Sequence, residues 1–121
     1  MMSPLLSVAL GGALGASARF LIGAHLARPG FPVAVLSANV IGSFLMGLLV
    51  VWLGTRGLKG WEPFLLTGVL GGFTTFSAFS LETVTLIERG QMGQATLYVG
   101  LSVGGAVAAL ALGVWLARGL A

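Results

Sequence analysis

The feature that most constrains this chain is where its charges are not. Asp, Glu, Lys and Arg are absent from four runs: Met1 to Ala18, Pro29 to Thr55, Pro63 to Leu81 and Gln91 to Ala117. Each is near or above the ~18–20 residues a helix needs to cross ~30 Å of hydrocarbon. A transmembrane strand would need only about ten residues of alternating polarity, and these runs do not alternate. They predict an all-α membrane protein with four transmembrane helices, approximately residues 3–27, 32–54, 62–88 and 92–118, forming a single domain.

Composition excludes most other classes. Six basic and three acidic residues among 121 are too few to cover the surface of a soluble domain. A net charge of +3 placed at loop ends is no nucleic-acid patch. There is no cysteine, hence no disulfide framework, thiolate metal site or redox chemistry. No nucleophile–base pair and no His/Asp/Glu cluster points to an enzyme. Ala16-Ser17-Ala18 has the form of a signal-peptidase site. The run before it lacks a basic start and carries Gly11, Gly12 and Gly15, so it reads as a retained span.

Four spans joined by short connections, near Arg28 to Pro32, Thr55 to Glu62 and Arg89 to Gln91, make neighbouring helices antiparallel and put both termini on one side. That side carries Arg56, Lys59 and Arg118; the other carries Arg19, Arg28 and Arg89. Three against three gives the positive-inside rule almost no purchase. Either the balance is the noise of a short protein, or chains insert both ways and pair as antiparallel partners. Twenty glycines, including Gly11-x-x-x-Gly15 and Gly100-x-x-x-Gly104, favour close helix approach. Four thin helices enclose little polar space, so assembly to at least a dimer is expected.

The polar residues inside the spans carry the functional information. The third span reads Gly71-Gly72-Phe73-Thr74-Thr75-Phe76-Ser77-Ala78-Phe79-Ser80. Paired glycines followed by paired threonines weaken a helix near mid-membrane. Either the helix stays intact and the glycines serve packing, or it breaks and frees backbone groups. Such a break is tolerated only where protein buries it or it lines a site for an ion or water. Phe76 and Phe79 share a helical face. Rings at this spacing usually meet lipid or core, but their electropositive edges also suit a small anion in a narrow passage. Ser77 and Ser80 add hydroxyls nearby.

In the second span Asn39 sits at mid-depth, with Ser43 one turn on; an amide there must find partners. These are either an interhelical hydrogen bond or a permeating ion. In the fourth span Tyr98 and Ser102 stack at i and i+4, and Ala106 continues the stripe without a hydroxyl. Among the three acids only Glu82 lies within a span, toward its end, while Glu62 and Glu88 flank it. His25, near the end of the first span, reads as interfacial.

These residues resemble the CrcB/Fluc family of small fluoride channels over essentially the whole chain. The likeness rests on Gly11 to Phe20, on Asn39-Val40-Ile41-Gly42-Ser43-Phe44, and above all on Gly71 to Ser80. It implies a dual-topology antiparallel homodimer in the inner (plasma) membrane with two fluoride pathways, letting toxic fluoride leave the cell. It also implies a structural sodium ion on the two-fold axis, held by the backbone carbonyls of Gly71 and Thr74. The pathway aromatics fall on Phe76 and Phe79, the pore amide on Asn39, the polar track on Tyr98 and Ser102, and a vestibule cation on Arg19. Val35 and Ala106 depart from the family where hydroxyl residues often stand. The competing class is a small multidrug-type, proton-coupled exporter, also a four-helix antiparallel dimer. That activity needs a carboxylate in the first helix, and Met1 to Ala18 has none.

Overall fold

A computed structural model of the protein describes residues 3–26 and 29–120; Arg28 lies outside them. All regular structure among these residues is helical. Helix α1 is Pro4–Leu26 and α2 is Val33–Thr55. After a single 3-10 turn, Lys59–Trp61, helix α3 begins as a wide, π-wound stretch, Pro63–Leu70, and tightens into the α-helical turn Gly71–Phe73. Helix α4, Phe76–Glu88, continues the same span, and α5 is Met92–Leu120. Four segments are therefore long and apolar enough to cross a bilayer, the third being α3 and α4 together. The chain is a multi-pass membrane protein.

The turns close by local chemistry. After α4, Gly90 adopts φ +76°, its N–H bonds the Ile87 carbonyl, and the Gln91 N–H reaches back to Leu86 at 2.9 Å. This paired closure needs a left-handed residue after the helix, a conformation that glycine adopts without strain. Gly57, at φ +69°, ends α2 in a related way, with the Leu58 N–H on the Leu53 carbonyl at 2.8 Å.

Packing follows two seams, α1 against α3 and α2 against α5, with α4 leaning on α5. Both seams are built backbone to backbone. A Cβ at Gly11 or Gly15 would overlap the carbonyls of Phe64 or Val69. A Cβ at Gly47 or Gly113 would overlap those of Leu110 or Phe44. Inside lipid no hydrophobic effect draws helices together, so the van der Waals contact that glycine permits becomes a principal attraction. Gly100 and Gly104 do not take part: among the described residues no atom lies within 4 Å of a Cβ added to either. Two small cores fill the gaps, Leu53 with Leu66 and Leu70, and Phe79 with Leu86, Ala95 and Tyr98. Large apolar side chains such as Leu5, Phe20 and Trp115 point outward, as expected of helices whose solvent is hydrocarbon.

Candidate functional site

The glycines and the threonines of the third span divide the work between them. Gly71 and Gly72 remain helical, and Gly72 serves packing, because a Cβ on it would press on the backbone of Gly12. The break falls on the next two polar residues. Thr74 (φ −88°, ψ 155°) and Thr75 (φ −153°, ψ 123°) are both extended. β-branched residues suit that conformation, and here their hydroxyls also cap the two ends it creates. The Thr74 hydroxyl donates to the Leu70 carbonyl at 3.0 Å, while the Thr75 hydroxyl accepts from the Ala78 N–H at 3.2 Å as the N-cap of α4.

Two side chains from other helices hold the break. Asn39 of α2 donates from Nδ2 to the Thr75 carbonyl at 3.1 Å and accepts the Thr75 N–H on Oδ1 at 2.8 Å. One amide thus satisfies both polar groups of a residue that has left the helix, which is what buried backbone demands. From the α1 side, Arg19 Nε donates to the Gly72 carbonyl at 3.4 Å. The Gly71 and Thr74 carbonyls receive no hydrogen bond among the described residues. They are hard oxygen acceptors beside a region with no cluster of His or carboxylate side chains among the described residues.

Beside the break lies an open cleft of about 270 Å³ between α2, α4 and α5. Asn39, Ser43, Thr74, Thr75, Phe76, Phe79, Ser102 and Ala106 line it, with Val103 and Val107. The cleft brings together Asn39, Thr74, Phe76, Phe79 and Ser102, which come from three separate stretches of sequence. Phe76 is 76% exposed whereas Phe79 is buried. Their ring centroids are 5.3 Å apart, and Phe79 is in turn 5.3 Å from Tyr98. Phe31, which the sequence offered no reason to select, meets Tyr98 edge-on at 5.7 Å and completes an aromatic column. The Tyr98 and Ser102 hydroxyls are buried and make no hydrogen bond among the described residues. Buried hydroxyls ordinarily find partners; Ser102 lines the cleft, whereas the fully buried Tyr98 does not.

Other selected residues stand apart from the cleft. The Ser80 hydroxyl donates to the Phe76 carbonyl at 3.0 Å, and Ser77 exchanges a 3.2 Å hydrogen bond with Thr75. Both bonds are local to the start of α4. His25 meets the Leu21 carbonyl of its own helix at 2.8 Å, at an exposed position. Thr75 was legible only as one of a pair; its role as cap and clamp point depends on Asn39 arriving from α2.

Residues 6–114 match the model of a family described as CrcB-like protein, Camphor Resistance (CrcB). The chain belongs to the CrcB family. Among its relatives, a protein of Roseobacter denitrificans is 60% identical, with 98% of each chain covered. One from Ruegeria sp. is also 60% identical, over 99% of this chain and 98% of its own. A third, from Caulobacter vibrioides, is 49% identical over 97% of each. All three bear the name fluoride-specific ion channel FluC. In this CrcB chain the broken third span and its cleft are therefore the features that a functional account must explain.

Proposed function

We propose that this chain is a fluoride-selective channel that lets toxic fluoride leave the cell down its electrochemical gradient, and that it is not an enzyme. In this reading two chains pair as an antiparallel, dual-topology homodimer in the inner (plasma) membrane and carry two pathways. The observation that carries it is the cleft at the helix break, where an amide, hydroxyls and aromatic rings meet. The names of the 60%-identical relatives support the choice of ion.

The chemistry is one of replaced hydration. Fluoride is small and strongly hydrated, so a pathway must offer several donors in place of water. Ser43 and Ser102 supply hydroxyls at the cleft, and Tyr98 supplies one beside it. Asn39 uses one Nδ2 hydrogen on Thr75, which leaves the other for the ion. Phe76 and Phe79 line the cleft, and the edges of such rings are electropositive. None of these is a fixed cation, so binding stays weak enough for the ion to leave. Ser77 and Ser80 serve the start of the same helix and reach the path only if their local bonds exchange. Arg19 lies inside its span, where it would border the vestibule.

The pairing reading rests on what the single chain leaves open. The cleft is unwalled on one side, and Gly100 and Gly104 of α5 present small faces without a neighbour among the described residues. A second chain docked there would close both. The Gly71 and Thr74 carbonyls suit a sodium ion on the two-fold axis because they are acceptors without donors. Such an ion supplies positive charge at mid-membrane, which lowers the cost of a nearby anion.

The test is fluoride release from liposomes holding the purified protein, followed by a fluoride electrode beside a matched chloride assay. Fast fluoride release without chloride release is expected. No release from dimeric, inserted protein would overturn the channel reading and leave a subunit whose glycines serve packing only.

A further inference from the structure

Among the described residues Arg19 is the one cation placed well inside a span, and its surroundings are unusual. It is half-buried, and among the described residues the only acceptor it reaches is the Gly72 carbonyl. No carboxylate is positioned to balance it. Glu82 and Glu88 sit on α4, with which α1 makes no contact, and Glu62 precedes the opposite end of α3. A charge in that position needs a partner. The partner is the carboxyl end of α3, where the helix has stopped and the Gly71, Gly72 and Phe73 carbonyls receive no main-chain donor among the described residues.

The placement is built into α1. Gly11, Gly15 and Arg19 recur every four residues and so lie along one face. The two glycines press on the backbone of α3 at Phe64, Gly68 and Val69. The next step along that ridge is Arg19, which arrives one turn later where α3 ends at Gly72 and Phe73. The close glycine contact is what lets the side chain reach a main-chain oxygen. At 3.4 Å the contact is long for a hydrogen bond, so its strength is that of a cation at the negative end of a helix dipole.

We propose that Arg19 is a positioning residue: it holds the carboxyl end of α3 in place, opposite the clamp that Asn39 applies to Thr75, and thereby fixes the geometry of the broken span. The two clamps come from helices on different sides and grip residues three apart, 72 and 75, with Thr74 between them. This role differs from that of a cation that concentrates anions at the pore mouth, which would act through its field and leave the break unaffected. It rests on the channel reading only for its effect on flux.

The experiment compares wild type with Arg19→Gln and Arg19→Lys in lipid bilayers. It reads amide hydrogen exchange at residues 74–78, the carbonyl 13C shift of Gly72, and fluoride release. In Arg19→Gln, exchange across the break should rise about tenfold, the Gly72 shift should move, and the α2–α5 seam should be unaffected. Arg19→Lys keeps a cation within reach and should restore most of the protection and of the flux. Reduced flux in Arg19→Gln with unchanged exchange and shift would overturn the proposal in favour of a purely electrostatic mouth. Should Arg19→Gln not insert, wild type decides through 13C–15N coupling between the Gly72 carbonyl and Arg19 Nε, and absence of that coupling would overturn the contact itself. Failure of the channel reading would look different: no fluoride release from wild type, with the exchange response intact.

Discussion

The Asn39 clamp allows the sharpest prediction. Removing the amide with Asn39→Ala strips the Thr75 peptide of its two partners, at 2.8 Å and 3.1 Å, in a half-buried stretch with no helical bond to replace them. Interhelical hydrogen bonds in membranes are worth roughly 0.6 to 1.7 kcal/mol each. The pair should therefore cost about 2 kcal/mol, a factor of about 30 in the folding equilibrium. Asn39→Asp separates the two bonds. Its carboxylate still accepts the Thr75 N–H, but its second oxygen faces the Thr75 carbonyl without a hydrogen to offer. Exchange at the Thr75 amide should therefore rise strongly in Asn39→Ala and much less in Asn39→Asp, while both variants lose conduction. The Asp variant also places negative charge on an anion path. The assays are reversible unfolding in mixed detergent micelles, residue-level hydrogen exchange and fluoride release from liposomes. Asn39→Ala with wild-type stability and Thr75 exchange would refute the clamp. Wild-type flux in Asn39→Asp would show that the side chain does not line the path.

Phe79→Ile keeps bulk but loses the ring that packs, tilted, between Phe76 and Tyr98, so fluoride release should fall sharply while dimer assembly, read by size-exclusion chromatography, persists. Gly15→Ala forces a methyl group onto the Val69 carbonyl. It should destabilise the α1–α3 seam by about 1–3 kcal/mol, the usual range for overpacking, in micelle unfolding assays. Replacing sodium on both sides of the membrane with a large organic cation should reduce fluoride release, if the Gly71 and Thr74 carbonyls hold sodium as proposed. Undiminished flux after exhaustive sodium removal would count against that site.

Much was legible before any coordinate, for physical reasons that operate along the chain. Charge-free runs of sufficient length require spans, because an unpaired charge or an open backbone is costly in hydrocarbon. The motif Gly71 to Ser80 was distinctive enough to mark both the weak point of the third span and the family. What linear order left open was which residue did what. Both readings of Gly71-Gly72-Phe73-Thr74-Thr75 were partly right: Gly72 packs on Gly12, and the break is at Thr74 and Thr75. Glycine spacing marked Gly100 and Gly104 as readily as Gly11 and Gly15, yet among the described residues only the latter pair meets another helix. A spacing rule states which residues share a face and says nothing of what the face meets.

The sequence by itself determined the solvent of this protein, the number of its spans and the place where one of them is weak. These follow from hydropathy and local backbone preference, which each segment carries alone. Tertiary structure decided how the weakness is used. Asn39 and Arg19 lie 36 and 53 residues from the backbone groups they hold. Only the stacking of α1 on α3, and the packing of α2 beside the break, brings an amide and a guanidinium to one interrupted helix. Phe31 joins the aromatic column for the same reason: its neighbour Tyr98 is distant in the chain and adjacent only after α2 and α5 have docked.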